Sequence, residues 1–391
     1  MADPVSSRVG GTWKPRKCVE LAMPKFTSRD ITVALDMCGC PNRCRHCWLG
    51  RADNRRMTER DLRWAVERFR TFVRKGQTEP FFTGVKASAS WREPDFSDDY
   101  QRLRDLECEL SDGEPWRFEL LSVWRLARDE TYARWARTVG PDTCQITFFG
   151  LEQTTDWFCR RRGAFRDGIT ATQRLLDAGI KPRWQFFLTR KILPDLPGLL
   201  KLVETLKLPE RAAALGGEFT LFMHTPGPSG QARHIEHLRP TIDQIADLPA
   251  EIVEPTRQHF KRDRLWFTEG ELAAQILDGE ERFPWGCHKP EHLWFIIAGN
   301  WDVFTNWATT EPWWRLGNLQ ADPLETIVAN YEHNQPLGYR TVHTLSIKEA
   351  ARRYGDPNGQ RVYEGGVEEL WLGQHSEAEW ANPESPPDQP P

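Results

Sequence analysis

The chain has 391 residues, 39% hydrophobic and 28% charged, enough for two to three domains or one large α/β domain with extensions, and unlike a collagenous or wholly disordered chain. No stretch approaches the roughly eighteen apolar residues of a membrane helix, and the polar, basic first thirty residues lack the apolar core of an export signal, so a cytoplasmic protein with no membrane partner is expected. The net charge is −4, but residues 364–391 carry seven acids and no Lys or Arg, leaving residues 1–363 at about +3; residues 116–190 hold thirteen Lys plus Arg against eight Asp plus Glu, too dilute an excess for a nucleic-acid partner.

After a basic N-terminal arm (residues 1–30), Ile31–Met37 reads as a buried strand. Thr58 with Asp61 makes a capping box, and Leu62, Ala65, Val66, Phe69, Phe72 and Val73 repeat at helical spacing until Gly76. The alternation recurs: apolar runs at 81–85, 118–123, 144–149, 184–188 and 219–223 are separated by segments of helical period. Six strand–helix units over residues 31–230 predict parallel strands joined by right-handed crossovers, an α/β fold in the form of a partial (β/α)6 barrel. Residues 231–282 read as a helical bridge. Leu293–Ile297, Gly299-Asn300 and Trp301–Phe304 predict a hairpin within a small α+β extension at 283–363, and residues 364–391 form an acidic, Pro-rich tail.

Nine cysteines is an odd number, and five of them (Cys18, Cys38, Cys40, Cys44, Cys47) fall within thirty residues of a chain without an export signal, which points to metal rather than disulfides. Cys40, Cys44 and Cys47 stand in a Cys-x3-Cys-x2-Cys arrangement on the loop after the first strand, at the end where α/β folds place their chemistry. Three thiolates leave one iron of a four-iron cluster without a protein ligand. The competing reading is a zinc site completed by Cys38 or Cys18, in a zinc-organised binding protein.

The Cys-x3-Cys-x2-Cys spacing, with ring-bearing His46 just before the last cysteine, resembles the radical S-adenosylmethionine (radical SAM) superfamily. The resemblance implies that Cys40, Cys44 and Cys47 hold a 4Fe-4S cluster whose open iron chelates S-adenosylmethionine. Ser90-Trp-Arg-Glu93-Pro94 resembles the family's Gly-Gly-Glu-Pro segment and implies that Glu93 contacts the methionine amino group, although both glycines are replaced. Gly150 and Glu152, followed by Arg160-Arg-Arg162-Gly163, resemble the segment whose arginine pairs with the methionine carboxylate, which implies Arg160 or Arg162 in that role. Residues 283–363 resemble a SPASM extension that has lost its auxiliary clusters, with Cys287 as its single cysteine and the one candidate catalytic thiol, either a hydrogen-atom donor or an inert core residue. The tryptophans crowded between 285 and 314 either line a substrate pocket or fill the contact with the barrel. The resemblance further implies a radical enzyme acting on a small-molecule biosynthetic intermediate, with a ribosomally made peptide as the alternative substrate. An external one-electron reductant of flavodoxin or ferredoxin type completes the expected set of partners.

Overall fold

The computed structural model describes residues 26, 28–50, 54–89, 92–93, 95–113, 121–284, 292–305 and 310–382. The first part runs β1 (Asp30–Leu35), α1 (Glu59–Arg70), β2 (Gly84–Ser88), α2 (Tyr100–Leu110), α3 (Val123–Leu126), α4 (Tyr132–Thr138), β3 (Thr143–Phe148), α5 (Glu152–Cys159), α6 (Ala164–Asp177), β4 (Lys181–Phe187), α7 (Leu196–Thr205), α8 (Leu208–Ala214) and β5 (Thr220–His224). The second continues through α9 (Ala250–Phe260), β6 (Phe267–Thr268), α10 (Glu269–Asp278), β7 (Leu293–Ile297), β8 (Asp302–Thr305), β9 (Gly317–Asn318), α11 (Leu324–Glu332), α12 (Leu337–Thr344), α13 (Ile347–Tyr354), β10 (Val362–Tyr363) and α14 (Val367–Ala381).

The fold is α/β with parallel sheets, a partial barrel whose strands lie in two arcs. One arc is β2-β1-β7-β8-β9 and the other is β3-β4-β5; β1 pairs in parallel with β2, and β3, β4 and β5 pair in parallel in sequence order. The strand expected over 118–123 is not formed where the chain is described: Ser122 caps α3 by accepting from Arg125 N–H, and residues 118–120 lie outside the described residues. The capping box of α1 is present, with Thr58 and Asp61 bonded reciprocally, and Leu62, Ala65, Val66 and Phe69 are buried against β1 and β2. Val73 is exposed, because α1 ends at Arg70 and the helical face is not maintained beyond it.

The hairpin expected at 293–304 forms as β7 and β8, but its position differs from that of a separate extension. β7 lies parallel to β1, with Ile31 opposite Leu293 and Leu35 opposite Ile297, so the hairpin continues the barrel sheet and shares its core with α1 and α11. All five residues of β7 are buried, as a strand covered on both faces requires. Trp294, Trp301 and Trp313 are buried in packing contacts, Trp301 edge-on to Trp64 and Trp313 beneath Arg233. A second core forms between β3, β4 and β5 and their helices. Among the described residues no helix is long and apolar enough to cross a membrane.

Candidate functional site

The loop after β1 is tied down from four directions. Asn54 clamps Cys40, accepting from its N–H at 3.2 Å and donating to its carbonyl at 2.9 Å. The N–H groups of Arg43 and Arg45 donate to the carbonyls of Cys159 and Phe158 at the end of α5. The Gln231 N–H donates to the Cys47 carbonyl at 2.9 Å, and Thr310 Oγ1 donates to the Leu49 carbonyl at 2.6 Å. Gly230 lies at φ +58 with its Cα pressed against the backbone of Cys47 and Trp48, where a Cβ would collide with both carbonyls.

Cys40, Cys44 and Cys47 line one pocket with Asn42, Gly50, Arg92 and Gln231, a partly open cavity of about 80 Å³. Burial pushes the Cys47 thiol up to about 11 and holds Cys40 well above the ordinary thiol value; Cys44 is raised well above it by its contact with the Cys159 thiol and then by burial. Thiols in this state gain from a bound cation, whose charge favours the thiolate. No group of three His, Cys, Asp or Glu side chains among the described residues is gathered tightly enough for one metal ion. Three thiols lining one pocket are the donor type that iron–sulfur ligation uses, so the donor set fits such a cluster.

Glu93 is buried beside the cysteines, on a neighbouring cavity that Cys38, Ala89 and Asp95 also line. Its Oε1 accepts from Ser122 Oγ at 2.9 Å, its charge is felt by Cys40 and Cys44, and burial pushes its carboxyl up to about 7 against the lowering effect of Ser122 and the Trp124 N–H. Arg92, in place of a glycine, does not fill the site. Its Nε meets Asp36 Oδ2 at 2.9 Å, both side chains nearly fully buried, and its Nη1 donates to the Gly50 carbonyl. The substitution therefore braces the end of β1 against the cysteine loop.

The second segment differs from expectation. Glu152 opens α5 on its outer face and pairs with Arg166 at 2.9 Å, away from the cysteines. Gly150 shapes the turn, at φ +149 with its Cα against Asp195 and Thr154, and presents no side chain. Arg160 and Arg162 are exposed, while Arg161 turns inward, donating to Asn42 Oδ1 at 2.6 Å and pairing with Asp167 at 2.5 Å. The reason is local: Arg160 caps α5 in the left-handed conformation at φ +51, and that reversal aims the next residue back toward the pocket. Arg161 also acts electrostatically on Glu93 and Cys44, which makes it the inner arginine of the triplet. Cys287 lies outside the described residues.

His46 lies between Phe149 and Phe187, with ring centroids 4.4 and 4.6 Å away, and burial pushes it down to about 3, so it is neutral at physiological pH. Across Phe187 lies His224 at the carboxyl end of β5. Its Nδ1 meets Glu364 Oε2 at 2.5 Å; Glu364 is buried, accepts from the Thr225 N–H at 2.8 Å and pairs with Arg262 at 3.4 Å. Sequence reasoning missed Glu364, Arg161, Asn42 and Cys159, because their role depends on contacts from distant parts of the chain.

Residues 35–191, the stretch holding the cysteine loop, Glu93 and Arg161, match the model of the radical SAM superfamily. The chain carries a radical SAM domain. Proteins of this superfamily use a 4Fe-4S cluster and S-adenosylmethionine. No curated protein matches the sequence. Among solved structures the chain is similar to anSMEcpe with bound AdoMet (11% identity, 90% of this chain and 98% of that chain covered, TM-score 0.48). It is similar also to Streptococcus suis SuiB bound to precursor peptide SuiA (11% identity, 70% and 58% covered, TM-score 0.30), and at these scores neither likeness carries a function across.

Proposed function

We propose that this radical SAM enzyme abstracts a hydrogen atom from an unactivated carbon of a small organic molecule held at the carboxyl ends of β3, β4 and β5. The observation that carries the reading is the gathering of Cys40, Cys44 and Cys47 around one pocket, with Glu93 and Arg161 close enough that their charges act on Cys44. When bound, a reduced 4Fe-4S cluster with S-adenosylmethionine would supply the radical chemistry that removes the hydrogen atom. The chain's own residues do the rest. The three cysteines hold the cluster; Glu93 accepts hydrogen bonds from a cationic amino group, and the Arg161 fork is suited to a carboxylate. His46, Phe149, Phe158 and Phe187 form a dry wall that keeps water from a reactive centre. Glu364 accepts from His224 Nδ1–H, which leaves Nε2 as the atom able to take or return a proton at the mouth.

Support for a small substrate comes from the roof. Gln231 and Thr310 each bond to the cysteine loop, Gln231 lines its pocket, and the neighbouring Arg233 and Glu311 pair at 3.3 Å, which fits a pocket-sized ligand. The test is 5′-deoxyadenosine release by the reduced, S-adenosylmethionine-loaded enzyme given fractionated metabolites or fractionated peptides. Metabolite fractions should raise release above the substrate-free rate; stimulation by peptides alone would transfer the reading to a ribosomally made peptide.

A further inference from the structure

The inner face of the arc β3-β4-β5 carries a polar row that the chemistry proposed above leaves unused. Along β3 and β4, Cys144, Ile146, Phe148, Trp184 and Phe186 turn outward into the core shared with the helices. Side chains alternate along a strand, so Gln145, Thr147, Arg183 and Gln185 share the opposite face, with Phe222 and His224 of β5 beside them. The hydrogen bonds of this row run in one direction. A guanidinium only donates, and Arg183 Nη2 donates to Gln145 Oε1 at 3.1 Å. That orients the Gln145 amide, whose Nε2 donates to Gln185 Oε1 at 2.6 Å, and Thr147 Oγ1 donates to the same oxygen at 3.1 Å. The Gln185 amide is thereby oriented too, with its oxygen doubly occupied and its nitrogen left over.

Among the described residues no acceptor takes a hydrogen bond from Gln185 Nε2, although the side chain is only 6% exposed. A buried donor left unmade costs free energy, which a ligand oxygen placed against it recovers. Gln145, Thr147 and Arg183 are only half-buried, so open space adjoins this face. We propose that Gln185 Nε2 anchors the substrate inside the barrel and selects a small molecule that carries an acceptor oxygen of carboxyl or amide type. This rests on the reading of the barrel mouth as the substrate site. Gln185 stands opposite Phe222, two residues before His224, which is about 7 Å along the strand. An oxygen held there lies one layer beneath His224, and the rest of the molecule extends up toward Phe187, on which His46 of the cysteine loop rests. A group that can only donate, such as an ammonium, meets another donor at this position and is rejected.

The test offers a low-molecular-weight metabolite extract to the reconstituted holoenzyme with S-adenosylmethionine and identifies the retained compounds by mass spectrometry after ultrafiltration. Gln185→Glu keeps an oxygen for Gln145 and Thr147 while turning the free donor into an acceptor, and Gln185→Met removes both. The parent should retain compounds bearing a carboxyl or amide oxygen, and each variant should retain the same compounds at least tenfold less, with iron content and S-adenosylmethionine affinity those of the parent. Equal retention by parent and variants would overturn the proposal, as would a parent that retains no such compound. A matching loss of S-adenosylmethionine affinity would overturn it too, by giving the donor to the cofactor. This readout needs no turnover, so it stands apart from the reading beneath it: retained compounds that fail to raise 5′-deoxyadenosine release would refute the small-molecule reading, and the binding arm would still decide the role of Gln185.

Discussion

Asp36 and Arg92 join β1 to the cysteine loop through a nearly fully buried ion pair. Breaking such a pair on one side leaves an uncompensated charge, so Arg92→Ala should cost about 3–5 kcal/mol of stability in urea titrations, whereas an Asp36→Leu/Arg92→Met double variant should cost less than the single change. Glu93 offers a pH test. Its folded carboxyl is raised to about 7 from an ordinary value near 4.5, so between those values the folded state binds more protons than the unfolded one, and stability falls as pH rises. In the metal-free protein the decline in urea midpoint from about pH 5 to about pH 7 should be steeper than in Glu93→Gln. At this scale the cysteines were legible because ligand spacing is local in the chain. The inward arginine was not: which of three consecutive arginines faces the pocket depends on one left-handed φ at Arg160, which a sequence does not display.

At the scale of elements, the loop after β5 and the loop after β1 press on each other at Gly230. Gly230→Ala should add backbone strain of about 1 kcal/mol and force the Cys47–Trp48 backbone to move. Iron bound after anaerobic reconstitution should fall well below that of the parent while far-ultraviolet circular dichroism stays the same. Apart from the strand expected over 118–123, the strand–helix rhythm, the α1 capping box and the hairpin could be read from the sequence, since each depends on neighbours in the chain. The pairing of β7 with β1 could not, because register between strands some 260 residues apart leaves no local mark in either one.

Across the whole molecule, the C-terminal segment sends Glu364 back to His224 at the end of β5, so distant parts of the chain jointly build the mouth. Glu364→Gln should leave iron content and S-adenosylmethionine binding near those of the parent yet lower substrate-dependent turnover by tenfold or more, read as product per 5′-deoxyadenosine. The account as a whole depends on Cys40, Cys44 and Cys47 holding a cluster that cleaves S-adenosylmethionine. The most direct measurement is 5′-deoxyadenosine formed by the reconstituted, dithionite-reduced protein beside its Cys44→Ala variant. The account predicts at least one equivalent per chain from the parent and none from the variant; equal yields from the two, or none from an iron-loaded parent, would contradict it.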